Sequence, residues 1–476
     1  MEEQVLIAGG GLAGSEAAWQ LAKHGVRVAI CEMRPHRPTP AHKTDRLAEL
    51  VCSNSLKSNA RGAASWLLKE EMRRAGSLLL RVADECAVPG GSALAVDRER
   101  FASSVTEAIE KHPLIELRRE EITEVAGDRP MLIATGPLTS DRLAQDLQRL
   151  TGTESLAFYD SISPIVDADT LSMDRVFRAS RYGKGGEDYL NCAMTPDEYR
   201  AFYEALMSAE TVQAHEFEDV KYFEACLPIE ELARRGYDTL RFGPMRPVGF
   251  IDPRTGKRPY ALVQLRAENL RYSSYNLVGF QNHLKFPDQK RILRMIPGLE
   301  NAEFLRFGQI HRNTYINAPT LLSPDLSLHA ASQVFIGGQL SGVEGYAECI
   351  ATGLLAGMAL AHRVRQEFFT PPPRTTALGS LVHYVTHASP QHYQPANMAF
   401  DLLPPVEDLP RQVARDRRAR REKQCERALE DLQAWLEGGA KGLPAGDRAS
   451  VAYTDEVASL PGRPDLAENL EGTAEN

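Results

Sequence analysis

The stretch VLIAGGGLAGSEAAWQLAKHGVRVAICE, residues 5–32, decides the fold. Its first four residues form the apolar run of a buried parallel strand, and Gly9-x-Gly11-x-x-Gly14 follows at once. Small and apolar side chains then recur at helical spacing as far as Gly25, which is placed to end the helix, and a second apolar run over 26–30 leads into Glu32. Strand, turn, helix and strand in this order make a βαβ unit. The three glycines serve a tight turn, the close approach of a pyrophosphate to the backbone at a helix N-terminus, and close helix–strand packing. Glu32 stands where a carboxylate accepts hydrogen bonds from adenosine ribose hydroxyls. Gly9, Gly10, Gly11, Leu12, Ala13, Gly14 and Glu32 are therefore candidate dinucleotide contacts.

These residues do not by themselves separate FAD from a nicotinamide dinucleotide or S-adenosylmethionine. Later glycine turns do. Phe335-Ile336-Gly337-Gly338-Gln339 precedes a small-residue helix over 347–362, and Ile133-Ala134-Thr135-Gly136 ends a middle strand. Both resemble the further FAD signatures of glutathione-reductase-like flavoproteins, in which the second glycine turn meets the flavin and its ribityl chain. Gly136, Gly338 and Gln339 join the candidates. Gln339 stands where many of those flavoproteins carry Asp, and its amide retains the capacity to bond ribityl hydroxyls. No second Gly-x-Gly-x-x-Gly follows a strand, so a nicotinamide reductant has to visit rather than reside.

The expected fold class is α/β: a Rossmann-type FAD-binding domain of the glutathione-reductase-like kind, interrupted by an inserted α+β substrate domain. Its first part spans 1–155. The insertion spans 156–305, where aromatics, proline and charge increase and strands are expected over 261–266 and 275–280. The second part spans 306–436 and ends in a charged helix over 410–436, and the acidic tail 437–476 is expected to be disordered. A chain of 476 residues exceeds one simple core, and its 43% hydrophobic and 25% charged composition is that of a soluble globular protein. There is no basic leader and no apolar run of membrane-spanning length, so a cytoplasmic protein is expected. Seven cysteines without Cys-x-x-Cys spacing argue against a disulfide framework or a metal site. The net charge is −9, but residues 437–476 hold eight acidic and three basic side chains, so the body is nearly neutral and compatible with a local basic patch for RNA.

From its first strand to about residue 430 the sequence resembles the flavin- and folate-dependent tRNA uracil-5-methyltransferases. The matching stretches are 9–16, 50–58, 223–230, 239–250, 276–281, 296–313 and 337–353; Ala225 departs from the glycine usual before the second cysteine. The resemblance implies FAD, 5,10-methylenetetrahydrofolate as one-carbon donor, NAD(P)H as reductant, tRNA as substrate, and two working thiols, Cys52 and Cys226. Chemistry explains the thiols. Uracil C5 is a poor nucleophile until a thiolate adds to C6, and a base must then remove the C5 proton. Carried over from the family, Cys226 attacks C6 and Cys52 assists as base or alternative thiol, roles open to exchange. The methylene would pass by way of the reduced flavin to a T-loop uridine, and the flavin would supply the electrons that make it methyl. An aromatic or imidazole plane suits a stacked pterin, and Tyr346 and His311 are the candidates; Arg312 is a candidate ligand for folate carboxylates or RNA phosphate. The oligomeric state stays open.

Candidate tRNA contacts lie on the segment with Arg411, Arg415, Arg417, Arg418, Arg420, Arg421 and Lys423, and at Arg234-Arg235 and Lys290-Arg291, although a solvated helix face is the more common explanation of such a run. Three rival functions fit parts of the same sequence. A wobble-uridine modification flavoprotein would have a much longer C-terminal region, an S-adenosylmethionine-dependent methyltransferase would carry no flavin, and a non-catalytic tRNA-binding flavoprotein would keep no reactive thiol.

Overall fold

The computed structural model describes residues 4–39, 41–153, 156–161, 163–183, 186–211, 227–269, 271–308, 310–407 and 409–438. The opening strand, Val5–Ala8, is the centre of a six-stranded sheet. Across that sheet the strands run Ser327–Leu328, Ala331–Ile336, Met131–Ile133, Val5–Ala8, Val28–Cys31 and Ile115–Arg118. All pairings are parallel except the hairpin between the first two. Ile7, Ile30, Leu132 and Phe335 are fully buried, as strands of a parallel sheet covered on both faces require. The C-terminal ends of Ala331–Ile336, Met131–Ile133 and Val5–Ala8 lie side by side, and ligands of open α/β sheets bind beyond such ends.

Helix Leu12–Lys23 packs backbone to backbone on helix Tyr346–Val364. A Cβ at Gly353 would stand 2.4 Å from the Ala13 carbonyl oxygen, and one at Gly357 would stand 2.7 Å from that of Ala17. Only glycine permits this approach.

A second six-stranded sheet follows in the chain, in the order Val176–Arg178, Tyr189–Met194, Ala261–Ala267, Ser274–Leu277, Ile165–Asp167 and Phe304–Arg306. Its pairings are antiparallel and its core is a separate hydrophobic cluster. Helix Pro196–Met207 packs there through Tyr199, Phe202 and Leu206, and a capping box between Thr195 and Glu198 starts it. The antiparallel pair Leu156–Ser161 and Ile310–Tyr315 carries the chain between the sheets.

Three local readings are corrected. The strand expected over 275–280 runs Ser274–Leu277, because Gly279 turns the backbone to φ +76°. The helix expected over 410–436 is two pieces, Arg411–Arg415 and Arg417–Gly438; Asp416 is extended between them, and its carboxylate accepts from the Arg418 and Ala419 amides. The stretch 34–59, rich in Pro, His, Thr, Lys and Ser and so expected as a long loop, contains a strand, Ser55–Ser58, paired with Ala93–Val96. Cys226 and nearly all of the acidic tail lie outside the described residues. Among the described residues no helix is long and apolar enough to cross a membrane, and no cluster of metal-ligating side chains occurs.

Candidate active site

Beyond the strand ends lies a cleft of about 1040 Å³ whose wall includes Gly9, Gly11, Leu12, Ala13, Glu32, Gly136, Gly338, Gln339 and Tyr346. Gly10 and Gly14 stand behind it. A Cβ at Gly10 would meet the Leu47 side chain at 2.4 Å, and one at Gly14 would meet the Gly9 carbonyl oxygen at 1.9 Å, so these two serve packing. At Gly11 a Cβ would meet no protein atom within 4 Å. The space beside the turn is open for a ligand.

Glu32 is built into the wall. Its Oε2 accepts from the Gly10 amide at 3.0 Å, and its Oε1 accepts from the Arg34 amide and Nε at 3.0 and 2.9 Å. Burial works to raise this carboxyl, but the hydrogen bonds and charge of Arg34 hold it below the ordinary carboxylate value. It is an anion with remaining acceptor capacity. Arg34 also reaches the Thr44 carbonyl and the Glu49 carboxylate, which fixes the following loop across the cleft. His42, on the same wall, is pushed down to about 4 by burial and then by Arg34, and so stays neutral. Arg34, His42 and Glu49 were not found from sequence, because no motif marks a residue that braces an acidic ligand.

A second cavity, of about 1180 Å³, shares Val51, Pro137, Leu138, Gln339 and Tyr346 with the first. Cys52, Ser53 and Lys57 line it from one side, Arg266 and Asn276 from the second sheet, Gln281 from the loop after it, and Asn313 from the connecting strand. Tyr346 joins the two spaces. Its phenol oxygen accepts from the Cys52 amide at 2.6 Å and the Ser53 amide at 3.1 Å, and burial, with the neighbouring Cys52, drives the phenol far above its usual range. Gln339 Nε2 donates to Glu344 at 2.8 Å, and Lys57 is held by Glu348 at 2.9 Å and by Asn397.

Cys52 is half-buried, whereas Cys31, Cys86, Cys192, Cys349 and Cys425 are buried. Arg98, Arg266 and Arg306 all lie near enough to Cys52 to feel its charge. Arg98 pairs with Glu268 at 2.8 Å, and Arg266 Nε donates to Asn54 at 2.9 Å. Among the described residues no carboxylate is within ion-pair distance of Arg266 or Arg306. The Asn276 Nδ2 is buried without a hydrogen-bond partner and its residue lines the same cavity. Excess positive charge and an unpaired donor suit a ligand that gains negative charge on oxygen.

Of the remaining sequence candidates, His311 and Arg312 fall on the strand Ile310–Tyr315, in register with Asp160 and Tyr159. The segment directly after Cys226 is anchored to the second cavity's rim: the Ile229 amide donates to the Gln281 carbonyl at 2.8 Å. Glu230 Oε1 accepts from the His283 amide at 2.8 Å and lies 3.0 Å from His283 Nδ1. None of the seven basic residues of the 411–423 segment lines either cavity.

The profile of the family described as Glucose inhibited division protein A matches residues 4–367. The methylenetetrahydrofolate–tRNA-(uracil-5-)-methyltransferase TrmFO of Solibacter usitatus is 59% identical over 91% of this chain and 99% of its own. The protein of the same name from Geobacter sulfurreducens is 56% identical over 92% and 99%. In three dimensions Aquifex aeolicus GidA is similar with a TM-score of 0.66 at 17% identity, covering 91% of this chain and 74% of that one, a likeness of the FAD-binding Rossmann-type α/β fold. The chain thus belongs to the GidA family and, within it, to the methylenetetrahydrofolate–tRNA-(uracil-5-)-methyltransferases.

Proposed function

We propose that this protein methylates C5 of the T-loop uridine of tRNA, using FAD, 5,10-methylenetetrahydrofolate as one-carbon donor and NAD(P)H as reductant, and that it does so in the cytoplasm. The observation that carries this reading is the junction of the two cavities: a glycine-walled dinucleotide cleft opens at Gln339 and Tyr346 onto a cavity lined by the Cys52 thiol and the Arg266 guanidinium, with Arg98 and Arg306 near that thiol. In the same reading, 1–155 and 306–436 form one glutathione-reductase-like FAD domain and 156–305 the inserted substrate domain.

The residues present fit FAD. Glu32, kept ionised beside Arg34, suits the ribose hydroxyls, the open side of Gly11 suits the pyrophosphate, and Gly136, Gly338 and Gln339 suit the ribityl and flavin end. Bound there, FAD supplies the one-carbon carrier and the electrons for reduction to methyl. Everything else falls to side chains. Cys226 adds as thiolate to uracil C6, which moves negative charge to O4; Asn276 and Arg266 are placed to answer charge of that kind. After C5 has received the carbon, a base takes its proton and the Cys226 sulfur leaves. Cys52, its backbone fixed by Tyr346, is the proposed base or alternative thiol. His311 and Tyr346 are proposed to face the pterin, and Arg312 to hold an anionic group.

The test is the absorption spectrum of the purified protein followed by nucleoside analysis of unmodified tRNA incubated with it, the folate and NADPH. A yellow protein that makes 5-methyluridine only with folate present is expected, and Cys226→Ala should stay yellow and make none. Full activity in that variant would remove Cys226 as nucleophile, and a colourless, inactive protein would remove the whole reading.

A further inference from the structure

Away from both cavities, one end of the second sheet carries a groove of about 1520 Å³ lined by Arg175, Arg241, Arg246, Arg254, Lys257 and Arg258. Some of this charge is answered within the protein. Arg175 pairs with Glu198 and Glu300, Arg241 with Asp238, and Arg254 with Asp252. The rest is not. Arg246, Lys257 and Arg258 are exposed, and among the described residues no carboxylate lies within ion-pair distance of any of them.

The groove is held in shape. Asp252 closes a turn on Lys257 through a backbone bond of 2.9 Å and bonds both the amide and the guanidinium of Arg254, while Arg181 reaches the carbonyls of Arg246 and Val248. The backbone that carries Arg246 and Lys257 is thus held, and the charges of Arg246, Lys257 and Arg258 share one groove. Two flat rings stand in the open here: Phe242, 70% exposed on the groove wall, and Tyr182, 62% exposed and packed against Gly249. Exposed rings among unpaired cations are the combination that binds unpaired nucleotides, phosphates on the cations and bases on the rings.

Position supplies the second line of reasoning. The Tyr260 carbonyl accepts from Arg241 at the groove, and Arg266, farther along the Ala261–Ala267 strand, lines the cavity with Cys52. Six residues of extended strand separate the two, roughly 20 Å. A single ligand with one base in the cavity and phosphates in the groove is a polynucleotide. The basic segment of the C-terminal helix, where Arg418 pairs with Glu422 and Lys423 with Glu426, lines neither cavity.

We propose that this groove is the track for the tRNA backbone, with Arg246, Lys257 and Arg258 neutralising phosphates and Phe242 stacking an unpaired base; this rests on the tRNA-modifying function proposed above. The test titrates unmodified tRNA against the FAD-loaded full chain between 50 and 200 mM salt, for the wild type, for the triple variant Arg246→Ala, Lys257→Ala, Arg258→Ala, for Phe242→Ala, and for Arg417→Ala, Arg420→Ala as comparison. The triple variant should bind at least tenfold more weakly, with a log–log salt slope smaller in magnitude by about 2, since each phosphate contact contributes about 0.7 to 0.9. Its flavin spectrum and its kcat at saturating tRNA should match the wild type, and the helix variant should change little. Unchanged affinity and slope in the triple variant, or an equal loss in the helix variant, overturns the proposal. A wild type that makes no 5-methyluridine counts against the functional reading alone, because tRNA binding still decides the groove.

Discussion

Tyr346 holds the Cys52 loop through one phenol oxygen that accepts two backbone amides. Tyr346→Phe leaves both donors without that acceptor, and should cost about 1–3 kcal/mol in stability and lower methylation more than tenfold while flavin stays bound, as thermal unfolding and initial rates would show. Gly11→Val is the converse case: its Cβ meets no protein atom, so the melting temperature of the ligand-free protein should hold while the flavin band disappears. Glu230 and His283 form a buried pair with opposite pH dependence. Burial pushes Glu230 up to about 7, and burial followed by the charge of Arg234 pushes His283 down to about 4. Between pH 4 and 6.5 the unfolded chain takes an imidazole proton that the folded chain refuses, so the His283 contribution is lost as pH falls. Between pH 4.5 and 7 the folded chain keeps a carboxyl proton that the unfolded chain releases, so the Glu230 contribution is lost as pH rises, and the two offset each other where the windows overlap. Glu230→Gln removes one side. Its melting temperature should fall more steeply than that of the wild type on acidification from pH 6.5 to 4.5, and parallel curves would contradict the assignment.

At the scale of elements, the site depends on a helix crossing. Gly353→Ala puts a methyl group 2.4 Å from the Ala13 carbonyl oxygen, and backbone on both sides leaves no flexible group to move. The expected result is a melting temperature lower by several degrees together with partial loss of flavin, because Leu12 and Ala13 form the cleft wall. The βαβ unit was legible in the sequence because its turn residues and both strands are contiguous, and the helix Tyr346–Val364 showed its small-residue spacing. The break at Asp416 was hidden, since an aspartate inside a charged run caps a new helix as readily as it continues an old one. Arg98, Arg266 and Arg306 were not legible as a group. They come from three distant stretches, and only the folded chain brings them to Cys52.

For the whole molecule, the decisive feature is a shared wall: Val51, Pro137, Leu138, Gln339 and Tyr346 face both the dinucleotide cleft and the thiol-bearing cavity. In the proposed reading this junction sets the flavin end against the substrate space, with Tyr346 on the shared wall and Cys52 beyond it. The central claim is that carbon passes from folate to uridine at this junction. It is tested most directly by supplying 5,10-methylenetetrahydrofolate labelled at the methylene carbon, with NADPH and unmodified tRNA, and locating the label by mass spectrometry of RNA fragments. The account predicts the label in the methyl group of a single T-loop 5-methyluridine; label absent from the tRNA, or carried by a wobble uridine instead, would contradict it.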